Sequence, residues 1–165
     1  MAFPQPIPPQ PGQESVWDYP RPPRLEAYTK HIQVMFNQVL IADSYRSQRV
    51  LETSHPPVYY IPLEDIQTQY LSRTQRRTYC EWKGQAHYYT IQVGSQQAEN
   101  SAWGYSEPTP AFQGLQNHVA FYPSRMEACY VDGELVQAQP GDFYGGWITS
   151  NIFGPFKGGL GTWGW

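Results

Sequence analysis

The chain has 165 residues, enough for one ordinary domain and too few for two independent cores. Its 11 Lys+Arg and 14 Asp+Glu leave a net charge of −3 with only 15% charged residues, so nothing in the composition would neutralise many phosphates of a nucleic acid at once. Aromatics reach 16%, which argues against a disordered polymer, and no apolar run approaches the ~20 residues that span a bilayer.

Residues 1–27 form a proline-rich arm. Eight of the sixteen prolines lie between Pro4 and Pro23. Proline fixes φ and removes an amide donor, so extended backbone is expected there, anchored by Trp17 and Tyr19. The start lacks the basic region and continuous apolar stretch of a signal peptide. Cys80 and Cys129 are the only cysteines, too few for a disulfide framework, and are expected as free thiols. Together these point to the cytoplasm.

Residues 28–139 read as a β domain. The expected strands are His31–Phe36, Val39–Ala42, Arg49–Thr53, Val58–Ile61, Tyr79–Trp82, Gln85–Val93, Gln97–Trp103, Val119–Tyr122, Met126–Val131 and Glu134–Gln137. Asn37-Gln38 and Asp132-Gly133 mark tight hairpin turns. Pro62 opens one short helix, expected to run to about Leu71. A weak repeat runs through this region. Ile32-Gln-Val34, Ala42-Asp-Ser44 and Val58-Tyr-Tyr-Ile-Pro62 are echoed by Ile91-Gln-Val93, Ala98-Glu-Asn100 and Val119-Ala-Phe-Tyr-Pro123. Two such units would each bury an apolar face on the other. The expected fold is mainly β: a single compact domain of antiparallel sheets, sandwich or barrel, with internal pseudo-duplication.

Residues 140–165 form a glycine/aromatic tail. Eight of the fourteen glycines lie there, among Phe143, Tyr144, Trp147, Phe153, Phe156, Trp163 and Trp165. Free in solution, those rings would expose apolar area without return, so the tail is expected on its own domain or across a homodimer, with a ligand lid as the lesser alternative.

Glu52, His55, Tyr60, Cys80, Lys83, Tyr88, Asn100, Trp103 and Tyr105 are the candidate site residues. On adjacent strand ends they would form a polar-aromatic pocket in which Lys83 holds a carboxylate or phosphate and the rings stack on a planar ligand. The competing reading is structural, with rings in a core and Lys83 at a surface turn. Within Cys80-Glu-Trp-Lys-Gly84, Lys83 would favour a Cys80 thiolate only if the chain bends, because residues three apart on a strand face opposite ways. The four histidines are dispersed without metal-ligand spacing, and neither a metal nor a cofactor is expected.

Four segments in order, Leu51–Pro62, Thr78–Tyr89, Ala98–Tyr105 and Val119–Tyr122, resemble the bacterial and fungal family catalogued as domain of unknown function 427 over roughly residues 30–132. The tail is similar to that of its cyanobacterial members. The resemblance implies a small, mainly β fold with a tent-like arrangement of sheets. The family also carries a nucleotidyltransferase-type heading, yet the chain has no GxxxxGK[ST] loop and no closely spaced Asp pair after Gly94-Ser95. The favoured function is therefore a small-molecule-binding or interaction module. The alternatives are an enzyme assembled from Glu52, His55, Cys80, Lys83 and Tyr88, or a structural protein that oligomerises through its tail. A small-molecule ligand and a homodimer are the expected partners; nucleic acid and membrane are not.

Overall fold

A computed structural model describes residues 4–141 and 143–165, so the first three residues of the arm and Asp142 of the tail lie outside the described residues. The strands are β1 (Glu14–Ser15), β2 (Arg24–Tyr28), β3 (Ile32–Phe36), β4 (Val39–Ser44), β5 (Ser47–Leu51), β6 (Val58–Pro62), β7 (Leu71–Cys80) and β8 (Gly84–Val93). They continue with β9 (Gln96–Gly104), β10 (His118–Phe121), β11 (Ala128–Val131), β12 (Glu134–Leu135), β13 (Gln137–Ala138), β14 (Trp147–Ile148) and β15 (Ile152–Phe153). Helical segments among the described residues are short 3-10 turns. The stretch after Pro62 holds two of them, Leu63–Asp65 and Thr68–Tyr70, because Ile66 between them bridges to Ala42 and buries its side chain.

A seven-stranded sheet runs β2-β5-β6-β10-β9-β8-β7, and a four-stranded sheet runs β12-β11-β3-β4. The sheets do not close into a barrel: β2 and β7 remain as edges of the larger one. Period-two alternation decides which way each side chain faces. Tyr59 and Ile61 of β6, Ile91 and Val93 of β8, and Val119 and Phe121 of β10 enter the main core, where they meet Ile32, Val34 and Cys129 of the smaller sheet. The intervening Tyr60, Tyr88, Trp103 and Ala120 face the other way and join Phe112 and Leu115 in a second cluster. With both faces covered, β6 reads as a continuous apolar run.

The repeat has a structural counterpart in the pairing. The strands β6 and β10 pair antiparallel at the centre of the sheet, with Ile61 opposite Val119. Each leads into a 3-10 turn, Leu63–Asp65 or Pro123–Arg125. Each half then lends its next strand to the other, since β7 pairs with β8 and β11 pairs with β3.

The later part of the arm and the tail lie on this core. The strands β1 and β15 pair in parallel, and Val16, Tyr19, Leu51 and Ile152 form a small third cluster flanked by Trp17 and Phe156. The Trp17 indole donates to the Pro155 carbonyl at 2.8 Å, and its ring meets Trp165 edge-on at 5.6 Å. Trp147 is fully buried in the main core and donates to the Phe121 carbonyl at 3.1 Å. The last residues of the arm, from Arg24, form β2 and belong to the sheet. Among the described residues no helix is long and apolar enough to cross a membrane.

Candidate functional site

The outer face of the large sheet carries a cavity of about 490 Å³, within the usual range for small-molecule sites. Eight of the nine candidate residues line it: Glu52, His55, Tyr60, Cys80, Lys83, Tyr88, Trp103 and Tyr105. Asn100 does not. It sits at φ +51° on β9, where the register with β8 shifts between Tyr89 and Ile91, and this irregularity carries it into a neighbouring cleft.

Strand alternation builds the floor. Tyr88 and Trp103 are cross-strand partners, and Tyr60 meets Trp103 edge-on at 6.2 Å. Tyr122 tilts against Trp103 at 4.5 Å. These rings supply broad apolar faces with hydroxyls at their edges. Tyr88 shares a 2.9 Å hydrogen bond with the Thr78 hydroxyl.

The cation comes from the β7–β8 hairpin. The strand β7 ends at Cys80, which pairs with Gly84, so Glu81 and Trp82 belong to the turn with Lys83 rather than to a strand. That turn supplies the bend the sequence required, and Cys80 and Lys83 line one wall together. Lys83 is half-buried, with its ammonium 5.9 Å from the Tyr105 ring centroid. Among the described residues its ammonium forms no salt bridge and no hydrogen bond. Burial pulls its pKa down, but Tyr60, Cys80, Glu52 and Tyr88 outweigh that and hold it above the ordinary lysine value. Glu52, a carboxylate in the same wall, is otherwise engaged, since it pairs with Arg21 at 3.2 Å.

His55 lies in the turn after β5, where Ser54 takes a left-handed φ of +72°. Gly146 donates its backbone N–H to Gln139 Oε1 at 3.0 Å, which leaves Gln139 Nε2 to donate to His55 Nδ1 at 3.1 Å. The imidazole is therefore neutral with its proton on Nε2. Burial, with the charges of Lys157, Arg21 and Lys83, pushes its pKa down to about 3. Glu52 lies 3.6 Å from His55 Nε2, beyond hydrogen-bond reach. Because Nδ1 is occupied and Nε2 already protonated, His55 presents a donor to the cavity and not a ready base.

The tail completes the wall. Phe143, Tyr144, Gly145 and Lys157 line the cavity, as does Gln139 just before the tail. A Cβ on Gly145 would overlap the Trp103 ring, so only glycine lets the tail lie flat on that indole. Tyr79 and Phe143, 77% and 61% exposed, make an aromatic rim. Sequence reasoning did not single out Gln139, Tyr144 or Lys157 as site residues. Tyr122 had a signal, because it lies in the last element of the second copy of the repeat, Val119-Ala-Phe-Tyr-Pro123.

Among the described residues no group of three or more metal-ligating side chains converges. His31 pairs with Asp43 and stacks on Tyr45. Cys80 and Cys129 are both free.

These features belong to a small, mainly antiparallel β domain with an aromatic cavity on the outer face of its larger sheet. The chain belongs to the family described as Domain of unknown function (DUF427), labelled NTP_transf_9, whose model matches residues 24–132. That span begins at the first residue of β2 and ends in the β11–β12 hairpin turn, so the family core includes the cation-bearing hairpin and leaves out the tail that walls the cavity. Comparison with curated proteins found no match.

Proposed function

We propose that this chain is a binding module for a ring-bearing organic anion, with the carboxylate or phosphate of the ligand on Lys83 and its ring among Tyr60, Tyr88 and Trp103. The observation that carries this reading is the half-buried Lys83 ammonium, unpaired among the described residues, inside an aromatic-lined cavity. A desolvated ammonium without a counter-ion is unfavourable, and an incoming anion relieves that while its ring covers apolar area. The His55 Nε2–H and the tyrosine hydroxyls add donors that fix orientation.

Titration of the intrinsic tryptophan fluorescence with benzoate, phenyl phosphate and the uncharged benzyl alcohol tests this. The anions should quench saturably and the alcohol should not. Lys83→Met should weaken the anions about tenfold or more, the usual worth of a charge-assisted contact. A flat response to both anions, or equal binding by the variant, would overturn the reading.

A further inference from the structure

A second cleft, about 470 Å³, lies beside the cavity, and Tyr88 and Tyr122 line both. Its other lining residues are Arg76, Glu99, Asn100, Ser124 and Arg125. Two guanidinium groups thus face one space that holds a single carboxylate. Among the described residues neither Arg76 nor Arg125 forms a salt bridge, although Arg21, Arg24, Arg46 and Arg49 all do. Glu99 forms no salt bridge with either arginine, so the space keeps one positive charge in excess, and an anion between the guanidiniums would neutralise it.

The cleft is built by two irregularities on strands that flank β8. On β7 the register shifts between Arg73 and Arg77, which takes Arg76 out of the regular ladder. On β9 the register shifts opposite Tyr89 and Ile91, and Asn100 adopts φ +51°. Bulges re-aim side chains in this way, and a non-glycine residue in the left-handed region is uncommon. The two irregularities are tied together, because the Thr74 hydroxyl donates to Asn100 Oδ1 at 2.7 Å. That bond leaves the Asn100 Nδ2 amide as a donor with no partner among the described residues. Arg76 is held in place from behind, with its guanidinium carbon 4.8 Å from the Tyr88 ring centroid.

We propose that this cleft is a phosphoryl-binding site, in which Arg76, Arg125, the Asn100 amide and the Ser124 hydroxyl donate to the oxygens of a phosphomonoester or of phosphate itself. Two forked guanidiniums with an amide and a hydroxyl offer more donors than a carboxylate can accept, whereas a tetrahedral dianion uses them. The site goes beyond the cavity-binding reading and stands on different cations. Because the cleft is open to solvent, affinity for the bare ion should be modest, on the order of a millimolar at low ionic strength, and should weaken with added salt.

The test is titration of the isotopically labelled full chain with inorganic phosphate, read from the backbone amide resonances of Asn100 and Ser124. Saturable shifts at these two positions are expected. The double variant R76Q/R125Q should lose them, R76K/R125K should retain part of the affinity, and thermal unfolding should show that both variants are folded. The shifts should persist in Lys83→Met, which separates this cleft from the cavity. Failure of both benzoate and phenyl phosphate to quench the cavity tryptophans would defeat the cavity reading and leave this result untouched. Absence of saturable shifts, shifts that survive R76Q/R125Q, or shifts abolished by Lys83→Met would overturn the phosphoryl site.

Discussion

Gln139 donates from Nε2 to His55 Nδ1 at 3.1 Å, joining residues 84 positions apart. The same nitrogen donates to the Lys157 carbonyl at 2.8 Å, so one amide ties the β5–β6 turn to the tail across the back of the cavity. Protonating His55 at Nδ1 would break the first of these bonds and place a charge in a buried site.

This arrangement sets a pH dependence. The folded His55 pKa of about 3 lies below its ordinary 6.5, so the unfolded chain binds a proton in this window that the folded chain does not. Stability from this group is complete above about pH 6.5 and is lost as pH falls toward 3. The slope is about 1.4 kcal/mol per pH unit. His87, pushed down to about 4 by burial and by Arg73 and Arg77, acts in the same direction. Urea unfolding between pH 7 and 4 should show His55→Asn with a flatter decline than the parent chain; identical slopes would refute a neutral, buried His55.

The contact of Gly145 with Trp103 gives a second expectation. A methyl group on Gly145 would overlap the indole, and one on Gly146 would overlap Gln139 Oε1 and Pro56. Each Gly→Ala change should destabilise by about 1–3 kcal/mol, the usual penalty of overpacking. Gly159→Ala meets nothing within 4 Å and should unfold like the parent chain. Thermal unfolding of the three variants separates a tail seated on the cavity from a loose one.

The two longest strands that the pattern missed share a physical position. Arg24–Tyr28 and Leu71–Thr78 are β2 and most of β7, the two edges of the large sheet. An edge strand need not bury alternate residues, and Arg73, Arg76 and Arg77 are all exposed, so no period-two signal marks β7. Central strands such as β6 and β8 were legible because both of their faces are covered. Most of the cavity was legible for a related reason, since Tyr60, Tyr88 and Trp103 stand out as large polar-edged rings on such strands. The contribution of Gln139 and Lys157 was not, because it depends on where the tail lands. The Arg76–Arg125 cleft depends on two bulges, and bulges leave no mark in a hydrophobic pattern.

The tail also contrasts two tryptophans of similar sequence setting. Trp147 is fully buried, whereas Trp163 is 81% exposed. Trp147→Ala should destabilise by about 3–5 kcal/mol through the cavity it leaves and the unpaired Phe121 carbonyl. Trp163→Ser should change stability by no more than about 0.5 kcal/mol. Comparable losses for both in denaturant unfolding would mean that Trp163 is covered in solution, as tail-mediated association would require.

Arg49 provides the last expectation. Its Nε donates to Glu26 at 2.6 Å and its Nη2 to Glu14 at 3.0 Å, with only 11% of the side chain exposed. Glu14 lies on β1 and Glu26 on β2, so this one guanidinium fastens the arm to β5. Arg49→Met should destabilise at neutral pH by about 2–3 kcal/mol, below the loss for a fully buried pair, because both carboxylates remain a third exposed. Burial alone would raise the Glu14 pKa, but hydrogen bonds from Arg49 and Tyr19 hold it below its ordinary 4.5. Its contribution is therefore present above about pH 4.5 and fades as pH falls below that value. The deficit of the variant should accordingly shrink between pH 7 and pH 3 in urea unfolding. A deficit that stays constant would show that Arg49 acts through packing on Tyr28, whose ring centroid lies 5.3 Å from the guanidinium carbon, and not through its charge.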